Sequence, residues 1–291
     1  MKKVISFFIL TTVVFSIFAM TACGRFATPT PVKYLPNDGI LCFAQSNHKA
    51  NHNASCAVNY ALSSSDHIID WGITPNEQER TPGIPDFAGT MLEKNNGIFI
   101  GDTTQKQVYL TFDLGYEAGY TAQVLDSLKK HSIKAVFFLC GHYLTETALV
   151  ERMIAEGHTI GNHTNKHKDL PKLSDDDIRA DIAGFENLYN EKFSHGNELK
   201  HFRPPSGRIS ERVLRIANEE GLKTVMWSSA IVDWGKKEID ARASANKLLK
   251  RIHPGNIILL HITNAGTPKM LEMLIAGLNE KGYTIGDAGS L

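Results

Sequence analysis

The sequence predicts an α/β protein in which a parallel sheet curls into a distorted (β/α) barrel of about seven units. After Lys106, strand-like segments alternate with amphipathic helical segments. Repeated β-then-α units imply a parallel sheet with helices outside, and KAVFFL is a predicted buried strand of it. The number of repeats favours a barrel over an open sheet.

The elements follow one another along the chain. QVYLTF is a predicted strand, and AQVLDSLKKHS is a helix with Val124, Leu125 and Leu128 on one face. KAVFFL and HTIGNH are strands on either side of the helix TALVERMIAEG, which ends at Gly157. The helix SDDDIRADIAGFENLYN begins with a capping-box pattern at Ser174. The remaining elements are the helix SERVLRIANEEG, the strand TVMW, the helix ARASANKLLKRI, the strand NIILLH, the helix PKMLEMLIAGLNEKG and the strand YTIG.

The N-terminal segments are of a different kind. Residues 1–22 resemble a lipoprotein-type signal peptide, because two Lys precede an apolar run that ends in small residues before Cys23. Cys23 would then carry a lipid that anchors the chain to a membrane. A plain cleaved signal and an uncleaved anchor are the alternatives, and all three place the remainder outside the cytoplasm. Residues 23–69 form a predicted polar tether, and residues 70–291 form the predicted folded domain.

The tether contains Cys42, His48, His52 and Cys56. A zinc site, a Cys42–Cys56 disulfide and no special role are all compatible with this spacing. The whole chain has 31 Lys plus Arg and 31 Asp plus Glu, so its net charge is zero. This balance argues against a nucleic-acid partner, since such proteins usually carry a basic excess.

Polar side chains follow the predicted strands. They are Asp113 after the first strand, His163 and His167 after the third, Arg203 before a Pro-Pro pair, Asp233 and Trp234 after TVMW, and His261 at the end of NIILLH. The carboxyl ends of barrel strands meet at one face. Charged groups at such a face need partners or a ligand, so these residues form the predicted site.

Five ordered motifs are similar to those of one family. TFDLG, HTNKH, RPPSG, the DW of WSSAIVDW, and LLH resemble the polysaccharide deacetylase family, the NodB-homology group of carbohydrate esterase family four. The resemblance runs from about Trp71 to the C-terminus. The YEAGYT, CGHY and VDW segments are similar to one branch, the delta-lactam-biosynthetic de-N-acetylases, which act on muramic acid in spore cortex peptidoglycan.

The resemblance implies a metal-dependent removal of an N-acetyl group from a peptidoglycan glycan strand. Asp113 is the implied general base, and Arg203 holds it in place. His163 and His167 are the implied ligands of a divalent ion, which is zinc-like, with manganese, magnesium and cobalt as alternatives. Two His four residues apart suit such an ion, and a carboxylate beside an Arg stays ionised and can accept a proton.

The resemblance also implies a general acid and a substrate cleft. His261 is the implied acid that protonates the leaving amine, with Asp233 as the partner that keeps it oriented and charged. A nearby Asp raises the pKa of a His above about 6.5. The residues expected to line the substrate cleft are Tyr116, Tyr120, Pro205 and Trp234.

Two positions depart from the family pattern. Leu114 stands where most members have a second Asp that binds the metal, and Ala230 stands where many have the first Asp of DxxDW. Cys140 is interpreted as a buried thiol, not a nucleophile. The alternatives are a deacetylase of N-acetylglucosamine in peptidoglycan or chitin-like chains, and a non-catalytic glycan-binding lipoprotein that has lost its metal.

Overall fold

The computed structural model describes residues 67–193, 196, 198–235 and 237–291. The predicted signal peptide, Cys23 and the Cys and His residues of the tether lie outside the described residues. Within the described ranges, no helix is long and apolar enough to cross a membrane.

Ten strands and seven α-helices occur in the described part of the chain. The strands are β1 (Ile69–Asp70), β2 (Gln107–Leu114), β3 (Val136–Leu139), β4 (Thr159–Asn162), β5 (His201–Phe202), β6 (Arg208–Ile209), β7 (Lys223–Thr224), β8 (Ser229–Ala230), β9 (Asn256–His261) and β10 (Thr284–Ile285). The helices are α1 (Asp86–Lys94), α2 (Thr121–Lys130), α3 (Thr147–Ala155), α4 (Asp175–Lys192), α5 (Glu211–Glu219), α6 (Ala241–Leu249) and α7 (Thr267–Glu280).

The main sheet is parallel and curled. Its strand order is β7-β5-β4-β3-β2-β9-β8, and β10 pairs with the first two residues of β2. Ile98 and Ile100 form single bridges to Val225 and Asn256, beyond β7 and at the start of β9. These bridges extend the sheet where regular pairing stops, so the prediction of a distorted (β/α) barrel is confirmed.

Strand β2 is buried on both faces, and its two faces have different neighbours. Val108, Leu110, Phe112 and Leu114 belong to the large apolar cluster that includes residues of α2, α3, α6 and α7. Tyr109 belongs to a smaller cluster with inward-facing side chains of β3 and β9. Because side chains alternate along a strand, Asp113 faces the barrel interior and Leu114 faces the helices.

Two boundaries differ from the predictions. Ile69, predicted as the last residue of the tether, pairs with Ile209 and is 7 % exposed, so it belongs to the folded part. Of the predicted strand TVMW only Thr224 lies in a regular strand, β7, and a separate strand, β8, follows. Asp233 and Trp234 therefore follow β8. A strand of two residues is too short to show an alternation of apolar and polar side chains, so the sequence pattern could not separate β7 from β8.

Candidate active site

The inward-facing ends of four neighbouring strands meet at the carboxyl face of the barrel. Asp113 on β2 is in register with Phe138 on β3 and with His261 on β9. Cys140 and His163 lie two positions beyond inward-facing residues of β3 and β4, so the same alternation turns them inward. The alternation of side chains along the strands therefore brings these four polar side chains together at the carboxyl face of the barrel.

Asp113 is paired with Arg203, which is fully buried. Nη1 of Arg203 donates to Asp113 Oδ1 at 2.8 Å and to Thr111 Oγ1 at 2.9 Å, while Nε donates to the carbonyl of Val225 at 2.7 Å. The guanidinium also lies over the ring of Phe138. Burial raises the pKa of Asp113, but the charge and hydrogen bond of Arg203, together with the nearby His163 and His261, outweigh burial, and the pKa falls below its ordinary value. The carboxylate is therefore ionised and fixed in direction.

His261 is held by both oxygens of Asp233. Its Nδ1 lies 2.8 Å from Asp233 Oδ1, and its backbone N–H donates to Asp233 Oδ2 at 2.7 Å. Burial lowers the pKa of His261, but the hydrogen bond and charge of the fully buried Asp233 outweigh burial, so the pKa is raised. The absence of an Asp at Ala230 leaves this pair intact.

His163 and His167 come together on a loop. Their ring centroids are 5.0 Å apart. The loop begins after β4, and Thr164 and His167 adopt left-handed backbone conformations, with φ of 67° and 51°. Thr164 Oγ1 accepts the backbone N–H of His167, and Asn162 Oδ1 accepts that of Thr164. Non-glycine residues in this region are uncommon and cluster at functional sites.

Three side chains in this region have the donor chemistry of a metal site. Within the described residues, one ligand atom each of Cys140, His163 and His167 lies within 4.8 Å of the others. His163 Nδ1 is 2.7 Å from the carbonyl of Arg203. It therefore carries the proton, and Nε2 has a free lone pair, as metal-binding His residues have. Burial lowers the pKa of His163 to about 4, so the ring is neutral at neutral pH. The residues fit a divalent ion.

Cys140 is buried, and burial raises the pKa of its thiol to about 12. The thiol is neutral at neutral pH and is a poor nucleophile, as the sequence indicated.

An open cavity of about 550 Å³ lies over these groups, within the range of small-ligand sites. Asp113, His163, His167 and His261 line it, and Tyr116 and Trp234 form part of its exposed wall. Tyr120 and Pro205, which were also expected in the cleft, are not among the residues that line this cavity. Tyr120 precedes α2 and packs on the apolar core, and Pro205 is buried in a short 3₁₀ turn.

Sequence reasoning missed three contributors. Thr111 shares Nη1 of Arg203 with Asp113. Asp181 on α4 accepts the backbone N–H of Lys166 through Oδ1 at 3.0 Å and fixes the histidine loop. Cys140 was predicted to be a buried thiol of the core. It directly follows an apolar strand, and this position is what identified the other site residues in the sequence.

The comparisons with known proteins agree with this geometry. A profile of the family described as polysaccharide deacetylase matches residues 100–225. The peptidoglycan-N-acetylmuramic acid deacetylase PdaA of Bacillus subtilis is 37% identical over 219 residues, which are 74% of this chain and 82% of that protein. The chain belongs to the polysaccharide deacetylase family. The catalytically active deacetylases of this family are hydrolases that act on amide bonds.

Other polysaccharide deacetylases show how the family varies. A peptidoglycan-N-acetylglucosamine deacetylase of Bacillus cereus is 37% identical over 196 residues, 66% of this chain and 70% of that protein. The solved structure of PdaA, a family 4 carbohydrate esterase, superimposes with a TM-score of 0.74 at 35% identity, covering 78% of this chain and 97% of the solved PdaA chain. A family 4 pseudoenzyme of Bacillus anthracis matches with a TM-score of 0.62 at 30% identity, over 67% and 68% of the two chains.

Proposed function

We propose that this chain is a metal-dependent deacetylase of peptidoglycan that acts on N-acetylmuramic acid and serves muramic delta-lactam formation in the spore cortex. One observation carries the proposal. Asp113, which is paired with Arg203, lines the same cavity as His261, which is paired with Asp233. The pair His163 and His167 lies beside them.

The two pairs have complementary roles in amide hydrolysis. Asp113 accepts a proton from the water whose oxygen attacks the acetyl carbonyl carbon. His261, whose pKa Asp233 raises against burial, donates a proton to the nitrogen as the C–N bond breaks. The products are acetate and a free amine. A divalent ion held by His163 and His167 would polarise the carbonyl and lower the pKa of the water.

Arg203 has a positioning role in this scheme. It is fully buried and touches Asp113 directly, so it fixes the direction in which the carboxylate accepts a proton. The aromatic rings of Tyr116 and Trp234, which are 55% and 60% exposed, offer faces on which sugar rings can pack.

The choice of muramic acid is supported by the similarity to PdaA over most of both chains. Deacetylation frees an amine that can close onto the lactyl carboxyl of a muramic residue without its peptide. The first experiment incubates the protein with glycan strands that contain such residues, with divalent metal or with chelator. Mass spectrometry follows loss of acetyl groups and, separately, loss of water on ring closure. Metal-dependent acetyl loss from muramic residues is the expected result, and acetyl loss confined to other substrates contradicts the proposal.

Two variants test the residue roles in the same assay. Asp113→Asn and His261→Ala are each expected to lower acetate release by at least about 10²-fold, because each removes one proton transfer. Asp126→Asn is the matched control, because Asp126 is an exposed carboxylate that pairs with Arg152 on the outside of the domain. Near-wild-type release by either site variant would exclude its assigned role.

A glucosamine deacetylase is the second candidate, and the Bacillus cereus relative supports it. Acetyl release from chitooligosaccharides, without release from muramic residues, would favour it. A non-catalytic glycan-binding protein is the third candidate, supported by Leu114 and by the pseudoenzyme relative. Glycan binding by a folded protein that turns over no substrate with added metal would favour this reading.

We also propose that the chain acts outside the cytoplasm, anchored by a lipid on Cys23. The signal-like pattern of residues 1–22 supports this location. Expression of wild type and Cys23→Ser in a bacterium, followed by membrane fractionation, tests it. The wild-type chain is expected in the membrane fraction and the variant outside it. An equal distribution of the two chains would contradict lipid anchoring.

A further inference from the structure

We propose that Cys140 is the third protein ligand of the metal ion, in the role that a carboxylate at position 114 has elsewhere in the family. The site is then a Cys-His-His set that favours a zinc-type ion over magnesium or manganese. This inference rests on the proposed function for the presence of an ion, and it adds a ligand and a metal class.

The side chain of Cys140 faces the barrel interior. Val136 and Phe138 belong to the inner cluster of the barrel, while Phe137 and Leu139 belong to the cluster shared with the helices. Cys140 continues the inward set, as Asp113 and His163 do on neighbouring strands. Leu114 packs among the apolar residues of the helix layer and also borders the cavity, where its side chain offers no ligand atom. The thiol therefore faces the ion site that Leu114 cannot serve.

Backbone hydrogen bonds fix Cys140 against the histidine loop. The backbone N–H of Cys140 donates to Leu114 O at 3.0 Å, and that of Gly141 donates to Thr164 O at 3.1 Å. A Cβ at Gly141 would lie 2.1 Å from Asn165 Oδ1, so only glycine permits this close approach. The sequence Cys-Gly thus brings the thiol to the loop that carries both His residues.

The three ligand atoms are close enough together for one ion to bind them all. The ligand atoms of Cys140, His163 and His167 lie within 4.8 Å of one another. Zinc binds sulfur at about 2.3 Å and imidazole nitrogen at about 2.0–2.1 Å, so the three atoms need to draw together by about 1 Å. His167 is exposed, and its side chain is free to make that adjustment. Catalytic zinc sites commonly have three protein ligands and one open position.

The donor atoms of this set suit a zinc-type ion. Cys140 is a neutral thiol whose Sγ lies 3.6 Å from the carbonyl oxygen of His163. On binding, the S–H bond breaks, an S–metal bond forms, and the proton leaves to solvent. The thiolate supplies the negative charge that Leu114 does not. Thiolate and imidazole ligands select zinc-type ions, whereas carboxylate, carbonyl and water ligands suit magnesium and manganese.

The test is a cobalt titration of the full-length chain, because cobalt(II) replaces zinc and a thiolate ligand gives it a charge-transfer band in the near ultraviolet. Three proteins are compared: wild type, Cys140→Ser, and a control in which Cys23, Cys42 and Cys56 are all replaced by Ser. Since the chain has four Cys, Cys140 is the sole thiol of the control. We expect the band in wild type and in the control, and its absence in Cys140→Ser. The affinity for cobalt and zinc is expected to fall by at least about tenfold in Cys140→Ser. Mutation of residues that only hydrogen-bond to metal ligands already causes a loss of that size.

The outcomes separate this inference from the proposed function, because acetate release is measured in parallel. Cobalt binding to the control without the band, or unchanged affinity in Cys140→Ser, overturns the ligand assignment even if acetate release is metal-dependent. The band without acetate release from any substrate supports the ligand and overturns the deacetylase function. No cobalt binding at all overturns both. If Cys140→Ser does not fold, the control protein alone decides, because its band can come only from Cys140.

Selectivity is tested on the control protein by competition. Zinc is expected to displace cobalt and remove the band at near-stoichiometric amounts. Magnesium or manganese in large excess is expected to leave the band unchanged. Displacement of cobalt by magnesium would contradict the proposed preference for a zinc-type ion.

Discussion

Nδ1 of His261 lies 2.8 Å from Oδ1 of Asp233, and the other oxygen of the same carboxylate accepts the backbone N–H of His261 at 2.7 Å. One fully buried carboxylate therefore fixes both the ring and the backbone of the residue. With Nδ1 engaged in this way, Nε2 is the nitrogen left for a substrate. The pair sets the protonation state of the ring as well as its direction.

Asp233→Asn is expected to move the alkaline limit of deacetylation to lower pH. Asp233 raises the pKa of His261 against burial, so removing its charge lets burial lower the pKa. The acid form then disappears at a lower pH. We also expect a loss of roughly 10²- to 10⁴-fold in kcat at neutral pH, the usual contribution of a positioned acid. The measurement is kcat/KM against pH for wild type, Asp233→Asn and the control Asp126→Asn. An alkaline limit that stays in place would contradict the role of the pair.

Arg203→Met is expected to destabilise the protein by roughly 3–5 kcal/mol, because it leaves the charge of Asp113 buried without its partner. Asp113→Asn removes that charge, so the double variant should be more stable than Arg203→Met alone. Urea unfolding of wild type, both single variants and the double variant measures this coupling. Purely additive losses would mean that Arg203 supports the fold through its carbonyl contacts and not through Asp113.

The polar residues at the strand ends could be predicted because their position depends on the local pattern of strands and helices. Unbroken apolar strands in β-then-α order fix a parallel sheet, and such a sheet brings Asp113, His163 and His261 to one edge. The pairing of Asp233 with His261 was also expected from the motif order. Asp233 nonetheless follows a strand that the sequence did not separate from TVMW, since two residues show no periodicity.

What the sequence could not supply is the shape of the loops. The pair His163 and His167 suggested ligands at helical spacing, yet the rings meet through left-handed backbone at Thr164 and His167. Tyr120 and Pro205 were expected in the cleft from the family resemblance. Tyr120 is half-buried against the apolar core, and Pro205 is buried in a tight turn. Neighbours along a loop need not face the same side.

Acid is expected to destabilise the folded protein through His158. Burial lowers the pKa of His158 to about 4, and its Nδ1 accepts the backbone N–H of Ala135. The unfolded chain, with an ordinary His pKa of about 6.5, binds more protons between these values. Stability is therefore complete above about pH 6.5 and falls as the pH drops, by roughly 3 kcal/mol at pH 4 from this residue. Urea unfolding at about pH 7 and pH 4 measures it.

His158→Gln is the matching variant, because an amide oxygen can accept the same N–H and does not titrate. We expect its free energy of unfolding to depend less steeply on pH than that of wild type. His163 and other buried His residues keep part of the dependence, since their pKa values are also lowered. Parallel pH dependences in the two proteins would show that His158 is not protonated on unfolding.

Trp234→Ala is expected to weaken the binding of glycan strands and leave the chemical step nearly unchanged. The side chain lines the cavity and is 60% exposed, whereas the proton-transfer groups lie deeper. Loss of a stacking surface removes binding that is equal in ground state and transition state, which raises KM at constant kcat. Because the ring is exposed, the free energy of unfolding should change by no more than about 0.5 kcal/mol.

Phe87→Ala is the matched control, since Phe87 is 52% exposed and is not among the residues that line this cavity. A fall in kcat with an unchanged KM would place Trp234 among the groups that act on the transition state.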